Sequence, residues 1–153
     1  METSNGTPRR RHVVIVDDNA ELAWFFSEIL KLHGYDSTVL SDAVAALKYV
    51  LSHHADVVIC DLQMPQLDGD LFYATVERAN PGLARRFVFI TGVAELERFQ
   101  KFASTVEAPV LRKPVAVETL LREVERVTGY PQNCKPAIAS KELPFIVWAD
   151  EAI

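Results

Sequence analysis

The residues of this chain best equipped for chemistry are polar groups that close apolar runs. The run His12–Val16 ends in Asp17-Asp18, and Val57-Val58-Ile59-Cys60 ends in Asp61, beyond which Pro65 and Gly69 break the chain. The run Arg86–Ile90 ends in Thr91-Gly92, and Val106–Leu111 ends in Arg112-Lys113-Pro114. Carboxylates packed together repel one another strongly unless a cation lies among them. Hard oxygen donors select Mg2+, which keeps several waters and leaves room for phosphate oxygens. A lysine adds a point positive charge, and a threonine hydroxyl adds a hydrogen-bond donor. Asp17, Asp18, Asp61, Thr91 and Lys113 are therefore equipment for gathering the charge of a phosphoryl group while a carboxylate oxygen attacks in line.

That chemistry requires distant strand ends to meet, and the intervening segments are of the kind that would bring them together. Short runs rich in Val and Ile read as strands buried on both faces. The predicted strands are His12–Val16, Tyr35–Leu40, Val57–Cys60, Arg86–Ile90 and Val106–Leu111. Between them, apolar residues recur at helical spacing. Leu22, Phe25, Phe26, Ile29, Leu30 and Leu32 mark a helix over Ala20–Leu32, stopped at His33-Gly34. Ser41-Asp42 offers an N-cap for a helix carrying Val44, Leu47, Val50 and Leu51, which runs out at His53-His54. Asp68 is placed to cap a helix with Leu71, Phe72, Thr75 and Val76 on its inner face, ending at Asn80-Pro81-Gly82. A further helix runs through Leu96, Phe99 and Phe102, and the last spans Ala116–Thr128 with Leu120, Leu121, Val124 and Val127, stopped at Gly129. Alternation of this kind predicts a parallel sheet covered on both faces, with its ligands at the carboxyl ends of the strands.

Composition agrees with an ordinary globular domain. The chain has 153 residues, 49% hydrophobic and 24% charged, with a net charge of −5. An acidic balance gives no global basic field for nucleic acid. No apolar run approaches the ~20 residues needed to span a bilayer. The start, Met1–Pro8, lacks the apolar core of a signal peptide, and of two cysteines, Cys60 lies in a predicted core strand. The expectation is a cytoplasmic protein. Residues 1–11 read as a disordered arm, 12–129 as the domain, and 130–153 as an extension with three prolines and the apolar Phe145-Ile146-Val147-Trp148. That extension either packs back on the domain, stays disordered, or serves as a partner-docking or dimerising strand. Arg9-Arg10-Arg11 reads as a solvated arm, with a docking patch for an acidic partner or phosphate as the sharper alternative. Cys60 reads as a small core hydrophobe, His53-His54 as a frayed helix end, and Trp24-Phe25-Phe26 as core and rim.

Taken together and in order, Val16-Asp17-Asp18-Asn19, Asp61-Leu62-Gln63-Met64-Pro65-Gln66-Leu67-Asp68-Gly69, Ile90-Thr91-Gly92 and Lys113-Pro114 resemble the receiver domain of two-component response regulators, over about residues 12 to 128. The resemblance implies a flavodoxin-like (βα)5 fold with strand order 2-1-3-4-5. It implies Asp61 as the residue phosphorylated by a histidine kinase or histidine phosphotransfer protein. It implies Asp17, Asp18 and Asp61, helped by the backbone carbonyl of Gln63, as the Mg2+ site, and Thr91 and Lys113 as ligands of the phosphoryl oxygens. It also implies a cis Lys113–Pro114 bond. The chain would then catalyse only its own phosphorylation and dephosphorylation, and a downstream protein would read the switch.

Two positions depart from the family pattern without touching phosphoryl chemistry. Leu111 stands where receivers commonly place an aromatic two residues before the lysine, and Val115 stands where many have Phe after Lys-Pro. The residues after Gly129 are too few for a DNA-binding unit with its own core, so either a stand-alone receiver or a portion of a hybrid kinase is expected. The competing reading is a receiver-like scaffold that acts without phosphorylation. A haloacid-dehalogenase-like phosphatase is disfavoured, because Gln63 stands two residues after Asp61 where a general acid would be needed. A flavodoxin is disfavoured by the acidic loop Asp17-Asp18-Asn19.

Overall fold

The computed structural model describes residues 9–92 and 97–129, with nothing given for the side chain of residue 98. The elements are β1 (His12–Val16), α1 (Ala20–Leu32), β2 (Asp36–Leu40), α2 (Ala43–Ser52), β3 (Val57–Asp61), α3 (Gly69–Ala79), the single turn α4 (Pro81–Ala84), β4 (Phe87–Thr91), α5 (Glu97–Thr105), β5 (Val110–Arg112) and α6 (Val117–Thr128). The strands form one parallel sheet in the order β2-β1-β3-β4-β5, as the flavodoxin-like expectation requires.

The three central strands are buried almost throughout, which is why they read as unbroken apolar runs. Their alternate residues feed two cores. Val13, Ile15, Ile59 and Ile90 meet Phe26, Ile29 and Leu30 of α1 and Leu120 and Val124 of α6. Val14, Val16, Val58, Phe87 and Phe89 meet Ala46 and Val50 of α2 and Phe72 and Val76 of α3. Truncating one of these side chains, such as Phe72, to alanine costs about 3–5 kcal/mol. The edge strand β2 differs, since Asp36-Ser37-Thr38-Val39-Leu40 is only partly covered.

The helix ends follow local chemistry. Asn19 caps α1 by accepting from the Leu22 amide, and Asp42 caps α2 by accepting from Val44 and Ala45. Gly34 at φ 85° and Gly129 at φ 64° supply the left-handed residues beyond α1 and α6. Asp68 takes the N-cap position of α3, but its side chain makes no capping bond.

Several expectations need correction. In α2 the sheet-facing stripe is Ala43, Ala46 and Val50, so Val44 and Leu51 lie outward. Small alanines let the helix lie close to the sheet, and a count of large apolar residues overlooks them. In α3, Phe72 and Val76 are buried, whereas Leu71 and Thr75 are exposed. The predicted turn at Asn80-Pro81-Gly82 is wound into α4, with Asn80 capping the Leu83 amide. β2 begins at Asp36 and β4 at Phe87. The fifth strand is much shorter than Val106–Leu111. The Val106 amide is still bonded to Phe102 at the end of α5, and Pro109 has no N–H to give a ladder, so pairing starts at Val110. Phe25 and Phe26 are core, but Trp24 is 62% exposed. The C-terminal extension, including Phe145–Trp148 and Cys134, lies outside the described residues. Among those that are described, no helix is long and apolar enough to cross a membrane.

Candidate functional site

Each candidate residue is delivered by the end of a strand. β1 stops at Val16 because α1 begins four residues later, and the connecting loop carries Asp17 and Asp18. Asp17 is 2% exposed, and its Oδ1 accepts from the Asn19 amide at 2.9 Å. β3 ends in Asp61, 4% exposed, whose Oδ1 accepts from the Gln63 amide at 3.0 Å. Asp61 pairs with Ile90 across the β3–β4 ladder, which puts buried Thr91 one residue beyond it. Thr91 in turn pairs with Arg112, and its carbonyl accepts from the Lys113 amide at 2.8 Å. The Lys113–Pro114 bond is cis. Leu111 packs half-buried against the α1/α6 core and Val115 is buried in it.

The side chains converge as the strand order requires. Lys113 Nζ donates to Asp61 Oδ2 at 2.9 Å and lies 3.4 Å from Asp17 Oδ2. Burial would lower the lysine pKa, but Asp17 and Asp61 outweigh it and raise it, so the ammonium stays charged. Burial, and then the neighbouring Asp61, push the Asp17 carboxyl up to about 6 against the opposing pull of Lys113. One ammonium therefore does not neutralise the acids around it. Asp18, exposed, adds a third: carboxylate oxygens of Asp17, Asp18 and Asp61 lie within 4.8 Å of one another. An excess of hard oxygen donors in this arrangement fits a divalent cation. Gln63 is held here by the hydrogen bond that its backbone N–H donates to Asp61 Oδ1.

Gly69 keeps the loop after β3 close to this site. Its amide donates to the Leu62 carbonyl at 2.9 Å, and a Cβ there would lie 2.5 Å from the Asp61 carbonyl oxygen and 2.8 Å from the Leu62 Cα. Only glycine permits that approach. Cys60 is fully buried beside Asp61, and burial raises its thiol pKa well above the ordinary range, which leaves it inert.

Sequence reading missed a third buried acid, at the other end of β3. Asp56, just before β3, accepts from the His12 amide at 2.7 Å and pairs with Arg9 at 3.2 Å, Arg11 at 3.6 Å and His54 at 3.0 Å. Arg10 also reaches Asp36 of β2 at 3.7 Å, so all three residues of the arginine triplet are tied to the domain, and His54 is a polar contact of Asp56 and not merely a frayed end. His53 stacks on Tyr49 with centroids 4.3 Å apart. An acid at the start of an apolar run, with a basic triplet before β1, was the available signal.

Residues 13–125 match the family model for the response regulator receiver domain. Over 119 residues the chain is 29% identical to a probable chemotaxis protein CheY of Rhizobium etli, covering 76% of this chain and 92% of that one. It is 34% identical over 74 residues to the DNA-binding response regulator MtrA of Mycolicibacterium paratuberculosis, covering 48% of this chain but only 32% of that protein. The chain thus spans about a third of the length of such larger curated relatives. A CheY-like receiver domain protein of Methanospirillum hungatei shares the fold with a TM-score of 0.73 at 22% identity, covering 79% of this chain and 95% of that one. With the match extending over most of the chain, from β1 into α6, this protein belongs to the response regulator receiver domain family of two-component signalling.

Proposed function

We propose that this domain is a phosphoryl-accepting switch in which a phosphohistidine donor, on a histidine kinase or histidine phosphotransfer protein, transfers its phosphoryl group to Asp61 in a Mg2+-dependent reaction. The observation that carries this reading is the shared ammonium. Lys113 reaches both buried acids, at 2.9 Å and 3.4 Å, yet leaves an acid excess at the strand edge where Thr91 also ends.

Asp17, Asp18 and Asp61, with the Gln63 backbone carbonyl, would hold the metal. Bound there, Mg2+ would offset the charge of the acids and of the incoming phosphoryl oxygens. The chain's own groups account for the rest. A carboxylate oxygen of Asp61 forms the new bond to phosphorus as the P–N bond of the donor breaks and its electron pair returns to the imidazole. The Gln63 amide fixes one carboxylate oxygen, which orients the other. Lys113 exchanges its contact with Asp61 for one to a phosphoryl oxygen, and the Thr91 hydroxyl donates to another. The aspartyl-phosphate then biases a two-state equilibrium that a protein partner reads. On this reading the domain catalyses only its own phosphorylation and dephosphorylation, acts in the cytoplasm, and signals through protein contacts without touching nucleic acid.

Intact mass after incubation with acetyl phosphate and Mg2+ tests it. One phosphoryl increment is expected on the parent, none on Asp61→Asn, and none after chelation. No increment on a parent shown separately to bind Mg2+ would instead favour a scaffold that acts without phosphorylation.

A further inference from the structure

Away from the acid pocket, a groove of about 760 Å3 opens between α3, α5 and the loop leading to β5, and reaches the last turn of α6. One wall is aromatic. Tyr73 and Phe102 meet edge to face at 5.7 Å, and both pack against Phe89 of β4, at 5.5 Å and 5.0 Å. Both rings are only partly covered. The rim is charged, and Arg85 on it makes no ion pair among the described residues.

The course of the chain suggests what fills this groove. Arg126 and Val127 of α6 line it, and Gly129, two residues later, is the last described residue, so the chain that follows departs from the rim. That following chain carries the apolar run Leu143-Pro144-Phe145-Ile146-Val147-Trp148, then Asp150-Glu151. The thirteen intervening residues, Tyr130 to Glu142, reach at most about 43 Å, ample to fold back. A tether of that length holds the run near the groove at roughly millimolar effective concentration, favouring it over a partner free in solution.

We propose that Leu143–Trp148 of the same chain docks in this groove, its aromatic side chains against Tyr73 and Phe102, with Asp150-Glu151 directed to Arg85. Trp24 and Trp148 are the only tryptophans, and Trp24 is 62% exposed. Trp24→Phe therefore leaves Trp148 as sole reporter with little disturbance of the core. In that full-length background, blue-shifted emission and an acrylamide quenching constant several-fold below that of a free tryptophan peptide are expected. Ala74→Arg or Thr105→Arg, at exposed positions lining the groove, raises quenching to the peptide value, and Val147→Asp does the same from the tail. Far-UV circular dichroism identifies which groove variants keep the fold, and either alone suffices. Free quenching in the parent would overturn the proposal, as would protection that survives the groove variants. Protection that vanishes on dilution would assign the groove to a second copy and overturn it equally.

Discussion

The sheet carries a buried aspartate at each end of β3, and the two are treated in opposite ways. At the amino end, Asp56 is 3% exposed and surrounded by the His12 amide, Arg9, Arg11 and His54. Burial alone would raise its pKa, but these donors win and hold it below the ordinary value. At the carboxyl end, Asp61 and Asp17 share one lysine while Asp18 stands near, and Asp17 is held up at about 6. One cluster has more cations than acids and is complete within the fold. The other has more acids than cations, an excess that a bound cation could offset. Residue type and burial are the same at both ends. The balance of partners separates an acid satisfied within the fold from acids left in excess.

The largest effect should come from removing the lysine. Lys113→Ala leaves two buried acids without their shared cation, and loss of one partner from a buried group of this kind costs on the order of 3 kcal/mol. Urea unfolding at pH 8 without Mg2+ should show that loss, and saturating Mg2+ should restore much of it. The same variant should incorporate phosphoryl from acetyl phosphate far more slowly than the parent. A stability unchanged by the substitution would mean that the acids are already compensated, and the contrast between the two ends would fail.

The pH dependence of the two ends should run in opposite directions. Asp17 is raised from 3.8 to about 6, so the folded state binds more protons than the unfolded one between those values. Its contribution is present at low pH and lost as pH rises through about 4 to 6, on the order of 3 kcal/mol without Mg2+. Asp17→Asn should therefore stabilise the metal-free protein above pH 6 while weakening Mg2+ binding. Asp56 is lowered from 3.8, so its contribution is present above that value and lost as pH falls through the depressed folded pKa. Asp56→Asn should destabilise the protein at neutral pH and flatten its acid limb. Denaturant titrations across pH 3 to 8 would separate the two signs.

The smallest change is expected at Arg9. Its side chain is 64% exposed, and Arg11, His54 and the His12 amide still serve Asp56 without it. Arg9→Ala should cost under about 1 kcal/mol in thermal or urea unfolding. A larger loss would show that the amino-end cluster depends on one cation and is less redundant than its geometry implies.

Much of this was legible along the chain because it follows from local pattern. The central strands are buried on both faces, so their apolar runs announce them, and each polar residue that ends a run marks the sheet edge where ligands gather. Asp42, Gly34 and Gly129 end or begin helices through bonds and dihedrals within a few residues of themselves. Asp17, Asp18, Asp61, Thr91 and Lys113 could therefore be named, and their meeting expected, before any coordinate. Three-dimensional packing settled the remainder. The alanine stripe of α2 depends on how closely the helix approaches the sheet, and the start of β5 depends on where α5 and Pro109 allow pairing. The Asp56 cluster joins residues 44 to 47 positions apart, and the shared lysine lies 52 positions from Asp61. Periodicity reports which side of an element is apolar. How many charges surround a buried carboxylate, and thus whether it is satisfied or left needing a cation, is a sum over contacts that exist only once the chain has folded.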